Sequence, residues 1–225
     1  MNFLKEVTKK IILFFLSIKV IYVLKKIDLN KKNLFIDLGT NMGQGFNYFK
    51  KFFKLEKFDY LLVEPNPNLK DEIEALIKKN NYKNNISFIN KAAYIKNTKT
   101  KLFGTVEDKR GKISEGASII NVHNSNLYNS DYENGLWVDT FDIIQEIKNL
   151  NSYDSIIIKM DIEGAEYDIL EELIIQNNQI KNLKHIFIEF HSRFMDKINK
   201  KKFKIRENKI KQELKRINLE FTIWI

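Results

Sequence analysis

From Asn33 onward, short runs of consecutive apolar residues alternate with stretches whose apolar positions recur every three or four residues. Uninterrupted short runs fit strands buried on both faces, and the longer periodic stretches fit covering helices. Strands are expected at Leu34 to Leu38 (LFIDL), Tyr60 to Val63, Ile86 to Ile89, Ile156 to Met160 and Ile186 to Phe190. Helical patterns occupy 45–53, 69–80, 141–148 and 166–176. Strand and helix alternating in this order predict an α/β, Rossmann-like fold, a mostly parallel central sheet flanked by helices. Between Ala92 and Val138 the periodicity fades into polar, glycine-containing residues, and a loop of that length is usually functional. Short edge strands near Thr100 to Val106 and a substrate-facing loop at Gly116-Ala117-Ser118 are expected there. Beyond Lys197, Phe203, Ile205, Ile210, Leu214 and Ile217 are spaced to line one face of a basic helix, and Glu220 to Ile225 reads as a closing strand.

The segment Ile11 to Leu24 is almost wholly apolar and is flanked by Lys9-Lys10 and Lys25-Lys26. It is shorter than the roughly 20 residues a membrane-spanning helix needs, Lys19 interrupts it, and no small-residue cleavage site follows. The favoured reading is a helix that covers the sheet. The second is an interfacial helix whose basic flanks suit anionic lipid, a peripheral membrane contact. Residues 1–32 are therefore expected to form an N-terminal helical segment packed on the domain, and 33–225 one Rossmann-like domain. The only two prolines, Pro65 and Pro67, mark no linker.

Composition narrows the chemistry. With 44% hydrophobic residues the 225-residue chain can bury a sizeable core, and having no cysteine it can form neither disulfides nor thiolate metal sites nor a cysteine nucleophile. A cytoplasmic location is the expectation. The net charge of +9 suits nucleic acid, an anionic membrane or a phosphorylated substrate, but abundant lysine, asparagine and isoleucine also accompany an A+T-rich genome. Nucleic acid is disfavoured as a partner, because the basic segment from Lys197 to Arg216 offers only Phe203 for base stacking.

Four motifs carry candidate chemistry. Phe35 to Gly45 (FIDLGTNMGQG) runs from a strand into a glycine turn and a helix, where Gly39 and Gly43 permit tight turning and close ligand approach. Its spacing, D-x-G-x-x-x-G, departs from the G-x-G-x-x-G dinucleotide fingerprint, and a carboxylate at Asp37 suits a cationic amino-acid moiety better than a pyrophosphate. Glu64 ends the second strand, the position from which such folds bind ribose hydroxyls. Lys159, Asp161, Glu163 and Glu166 cluster at the end of the fourth strand, where a general base or metal ligand can arise, although Glu163 and Glu166 also suit a helix's first turn. Glu189 and His191 end the fifth strand with the alternation that puts both on one side.

These residues resemble the FkbM family of S-adenosylmethionine-dependent methyltransferases. FIDLGTNMGQG, EPNP, NKAAY at Asn90 to Tyr94, GAS at Gly116 to Ser118, VDTFD at Val138 to Asp142, KMDIEGAEYDIL at Lys159 to Leu170 and FIEFH at Phe187 to His191 look like that family's blocks, in its order. The resemblance implies a class I methyltransferase fold and O-methylation of a hydroxyl, commonly of a sugar in polysaccharide or glycoconjugate biosynthesis. It implies S-adenosyl-L-methionine bound by Asp37, Gly39, Asn41, Gly43 and Glu64, with Ala92 near the adenine. The acceptor would be a small molecule or a carbohydrate. One departure stands out: the class fold ends in a strand hairpin, and with no further strand after Glu220 to Ile225 the usual last antiparallel strand is expected to be either missing or drawn from an unexpected segment.

Methyl transfer to a hydroxyl needs in-line alignment and removal of a proton. Asp161 is the first candidate, with Glu163 and His191 as helpers. Asp161, Glu189 and His191 are also a candidate set for an oxygen-preferring divalent cation such as Mg. The rival readings are a nucleic-acid methyltransferase and a catalytically silent binding protein on the same fold. A nicotinamide-dependent oxidoreductase is already disfavoured by the glycine spacing.

Overall fold

The computed structural model describes residues 2–80, 85–104, 116–123 and 135–224, with 2–10 as helix backbone alone. In chain order the elements are α1 (Asn2–Leu24), β1 (Asn33–Leu38), α2 (Gln44–Phe49), β2 (Phe58–Val63), α3 (Lys70–Asn80), β3 (Ile86–Ile89), β4 (Ala92–Tyr94) and β5 (Lys99–Leu102). They continue with β6 (Leu136–Asp142), α4 (Ile143–Asn149), β7 (Ser155–Met160), α5 (Glu166–Gln176), β8 (Leu183–Ile188), α6 (Lys200–Arg216) and β9 (Glu220–Ile223).

Six strands form one parallel sheet in the order β3-β2-β1-β7-β8-β9. The chain order reverses between β1 and β7, which opens a crevice at their carboxyl ends. A smaller sheet, β4-β6-β5, stands beside it, with β6 parallel to β4 and antiparallel to β5.

Strand alternation divides the core in two. Leu34, Ile36 and Leu38 of β1 face Ile156, Ile158 and Met160 of β7 and the buried sides of α4, α5 and α6. Phe35, on the opposite face, packs with Phe49, Phe53 and Tyr60 at ring-centroid distances of 4.9, 5.2 and 5.3 Å. Over this aromatic layer α1 lays Leu16, Val20 and Val23, followed by Ile27. Burying each such side chain stabilises by about 1.5–3 kcal/mol, which holds α1 against the domain.

Local signals account for the helix boundaries. Asp142 caps α4 by accepting from the Gln145 N–H at 3.0 Å, and α3 carries Asp71 and Glu72 in its first turn and Lys78 and Lys79 in its last, matching the helix dipole.

Several boundaries differ from the sequence expectation. Phe141 belongs to β6 and not to a helix, because Val138, Thr140 and Phe141 are drawn inward by pairing with β4 and β5. The helix after the first strand ends at Phe49, four residues early, and Phe52 and Phe53 turn back to pack on the sheet. On α6, Ile205 points to solvent, and Glu207 takes the inward position between Phe203 and Ile210, bonded by Ser192 Oγ at 2.8 Å. The edge strand expected to run to Val106 ends at Leu102; 105–106 and Ile225 lie outside the described residues. Among the described residues no antiparallel strand closes the main sheet: β9 occupies the edge parallel to β8.

Candidate active site

Beyond β1 the chain turns through Gly39, Asn41 and Gly43, all at positive φ (+75°, +48° and +84°). Gly39 is required twice over, since a Cβ there would lie 1.8 Å from the Asp161 carbonyl oxygen. The Gly39 and Thr40 N–H groups both donate to the Val63 carbonyl at 3.0 Å, which ties the loop to the end of β2. Glu64 completes that tie. Its Oε2 accepts from the Asn41 N–H and its Oε1 from the Asn66 N–H, each at 2.9 Å. Burial pushes the Glu64 carboxyl up to about 7, against the pull of these two N–H donors.

Beneath the loop lies an ion pair that strand register creates. Asp37 and Lys159 are paired positions on β1 and β7, and Lys159 Nζ lies 3.1 Å from Asp37 Oδ1 and 3.4 Å from Asp161 Oδ2. The same ammonium donates to the Gly39 carbonyl at 2.8 Å. Burial alone lowers the affinity of Lys159 for its proton, but Asp37 and Asp161 outweigh it and hold the group above its ordinary range. Asp37 is fully buried, which raises its pKa while Lys159 opposes the rise.

A second charged layer sits at the ends of β7 and β8. His191 Nε2 is 3.4 Å from both Asp161 Oδ1 and Glu163 Oε2, and its Nδ1 is 3.2 Å from Glu166 Oε1. Burial disfavours the imidazolium, yet Glu163, Glu166 and Asp161 hold the His191 pKa well above its usual value. Asp161 responds in the opposite sense: burial would raise it, but Lys159 and His191 hold it well below the carboxylate range. Glu166, at the start of α5, is more than a dipole complement: its two oxygens accept from the Gly164 and His191 N–H groups at 2.7 and 2.9 Å. Glu163 adopts φ +55° and meets His123 Nε2 at 2.9 Å. Glu189 is raised by burial and by Asp161, and pairs with Arg193.

A cavity of about 910 Å³ joins the two regions. Gly39, Asn41, Glu64 and Ala92 line it together with Asp161, Glu163 and Glu189, and Gly39 and Asp161 are in direct contact. Three residues expected at the site lie off this wall. Asp37 sits under the glycine loop and acts through Lys159, Gly43 caps α2 against Leu76, and His191 is buried behind Asp161 and Glu163. The expected cation set is also rearranged. Ligand atoms of Asp161, Glu163 and His191 lie within 4.8 Å of one another, whereas Glu189 Oε1 is 3.8 Å from His191 Nε2 and is engaged by Arg193. Lys159 and the His191 imidazolium already supply positive charge to these carboxylates.

Sequence reasoning missed His123, and also Arg193, Phe194, Trp224, Ile12 and Leu13 on the cavity wall. Trp224 could have been found as an aromatic at the end of the closing strand; His123 follows Ile119-Ile120-Asn121-Val122 and belongs to no motif that would mark it. Ala117, from the loop expected to face substrate, does line the cavity, and Ser118 Oγ donates to the Glu163 carbonyl at 2.6 Å.

The family model described as the methyltransferase FkbM domain matches residues 37–217, most of the chain, including the glycine loop, Glu64 and the cluster around Asp161. The chain belongs to the FkbM methyltransferase family. One solved structure similar to this chain is the methyltransferase FkbM from Methylobacillus flagellatus KT, at 16% identity and a TM-score of 0.40, covering 68% of this chain. The match spans 32% of that longer protein. No curated protein matches the chain. In this member of the family the glycine loop, Glu64 and the carboxylates Asp161, Glu163 and Glu189 line one cavity.

Proposed function

We propose that this chain is an S-adenosylmethionine-dependent O-methyltransferase acting on a hydroxyl of a sugar. The observation that carries the reading is Glu64: a buried carboxylate at the end of β2, fastened to the glycine loop through Asn41, on the wall of the cavity that also holds Asp161. Ribose hydroxyls are donors, and a carboxylate with spare lone pairs inside a cavity is what receives them. The residues therefore fit the nucleoside, with Gly39 leaving room and Ala92 offering an apolar wall.

When bound, S-adenosylmethionine supplies an electrophilic methyl group on a sulfonium. Lys159 holds the Gly39 carbonyl and keeps the loop in shape. Asp161 would accept a hydrogen bond from the incoming hydroxyl and take its proton as the methyl carbon exchanges its bond to sulfur for one to oxygen, with the thioether S-adenosylhomocysteine as leaving group. Lys159 and His191 hold Asp161 ionised and weakly basic, so it takes the proton only as bonding to the methyl carbon makes the hydroxyl acidic. Glu163 and Glu189 bind further hydroxyls, and Phe194 and Trp224 give flat walls for a sugar ring. His191 is a positioning residue that keeps Asp161 and Glu163 in place. A divalent cation at Asp161, Glu163 and His191 would first have to displace the imidazolium proton.

The test is transfer of tritiated methyl from S-adenosylmethionine to a panel of glycosides. Label in a base-stable ether, lost in Asp161→Asn, is the expected result. Label released by mild base overturns the hydroxyl assignment, and label recovered on added RNA instead of the glycosides overturns the carbohydrate acceptor. On α6, Arg206 is engaged by Asp168 and Glu171 and Lys204 and Lys211 by Glu207, and the helix offers no exposed aromatic ring for base stacking beside its remaining lysines.

A further inference from the structure

Helix α1 has two apolar faces where a surface helix needs one. Leu16, Val20, Val23 and then Ile27 point into the core. On the opposite side Ile11, Phe14, Phe15, Ile18, Ile21 and Tyr22 form a continuous stripe at i, i+3, i+4 spacing, with Phe14 62% and Phe15 59% exposed. Isolated exposed apolar residues are ordinary, but a stripe of this length marks a contact surface. Lys19, Lys25 and Lys26 are exposed along the same side, and residues 11–27 contain no carboxylate. No helix among the described residues is long and apolar enough to cross a membrane.

We propose that this outer face of α1 lies in the interfacial layer of an anionic bilayer, apolar side chains among the acyl chains and lysines at the headgroups. Charge selects this occupant. Lys26 is paired with Glu220, but a second copy of the stripe would bring Lys19 and Lys25 together with no carboxylate in residues 11–27 to answer them, whereas anionic lipid complements them. The placement has a consequence at the pocket, since Ile12 and Leu13 of the same helix line the cavity. Docking brings the cavity mouth to the membrane surface, where a hydroxyl carried on a lipid can enter; this last clause alone rests on the methyltransfer reading.

Co-sedimentation of the full chain with vesicles tests the docking without any activity assay. Phosphatidylcholine vesicles containing phosphatidylglycerol should bind the protein, vesicles of phosphatidylcholine alone at least tenfold less, and added salt should weaken binding. Phe15→Glu with Ile18→Glu should reduce binding at least tenfold. Phe14→Ser, a milder change at an exposed position, should reduce it by less. Three results overturn the proposal: no binding to the anionic vesicles, equal binding by the variants, or a dimer in light scattering that Phe15→Glu with Ile18→Glu converts to monomer.

Discussion

Cofactor affinity should rise steeply with pH, and Glu64 is the reason. Its carboxyl is buried and raised from an ordinary 4.5 to about 7. Each oxygen already accepts one backbone N–H, and the ionised group keeps lone pairs for both ribose hydroxyls, whereas the protonated group gives up one of them. If only the ionised form binds well, affinity follows its population, about one tenth at pH 6 and about nine tenths at pH 8. Calorimetric titration with S-adenosylhomocysteine at fixed ionic strength should therefore give a dissociation constant about tenfold lower at pH 8 than at pH 6. At pH 7 binding should release about half a proton, read from the dependence of the heat on buffer ionisation enthalpy. Glu64→Gln should weaken binding by about 1.5–3 kcal/mol and abolish the pH dependence. The unliganded protein should show the reverse trend in stability. A carboxyl raised on folding contributes fully below pH 4.5 and loses that contribution as pH rises through 7, on the order of 3 kcal/mol. A dissociation constant flat from pH 6 to 8, or the same slope in Glu64→Gln, would refute the reasoning.

Other groups make separate predictions. Lys159→Met strands Asp37 as a buried, uncompensated charge and should cost about 3–5 kcal/mol in denaturant unfolding. Adding Asp37→Asn should restore much of that loss, and strict additivity of the two changes would contradict the pairing. Gly39→Ala should abolish S-adenosylhomocysteine binding while leaving a folded protein by circular dichroism, because the new Cβ must push the loop off the Asp161 carbonyl. Nitrogen NMR should show His191 protonated on both ring nitrogens at pH 7, and Asp161→Asn should lower its pKa. Since that pKa is raised, the His191 contribution to stability is full below pH 6.5 and fades as pH climbs through the folded value. A neutral imidazole at pH 7 in the unaltered protein contradicts the assigned network.

The parts legible in the sequence are those that local pattern controls. LFIDL, YLLV and IIIKM are short, almost wholly apolar and rich in β-branched or aromatic residues, the pattern of buried strands, and 166–176 reads as a helix at both ends. Gly39, Asn41 and Glu64 reach the cavity because a strand end and a tight turn fix their direction. What pattern could not show is which distant residue shares a register. Asp37 looks like a ligand by spacing, but Lys159, far along the chain, is its neighbour across β1 and β7 and keeps it below the loop. His123, Arg193 and Trp224 meet Glu163, Glu189 and the cavity only through tertiary packing. Phe141 was misplaced because a helical period starts there by composition, while pairing with Ala93 makes it strand.

The most direct test of the central claim is a side-by-side calorimetric titration of the intact protein with S-adenosylhomocysteine and with NADH at pH 8. The account predicts one site for S-adenosylhomocysteine, lost in Glu64→Ala, and no heat with NADH. Saturable binding of NADH, or no binding of S-adenosylhomocysteine at any concentration the experiment reaches, would contradict it.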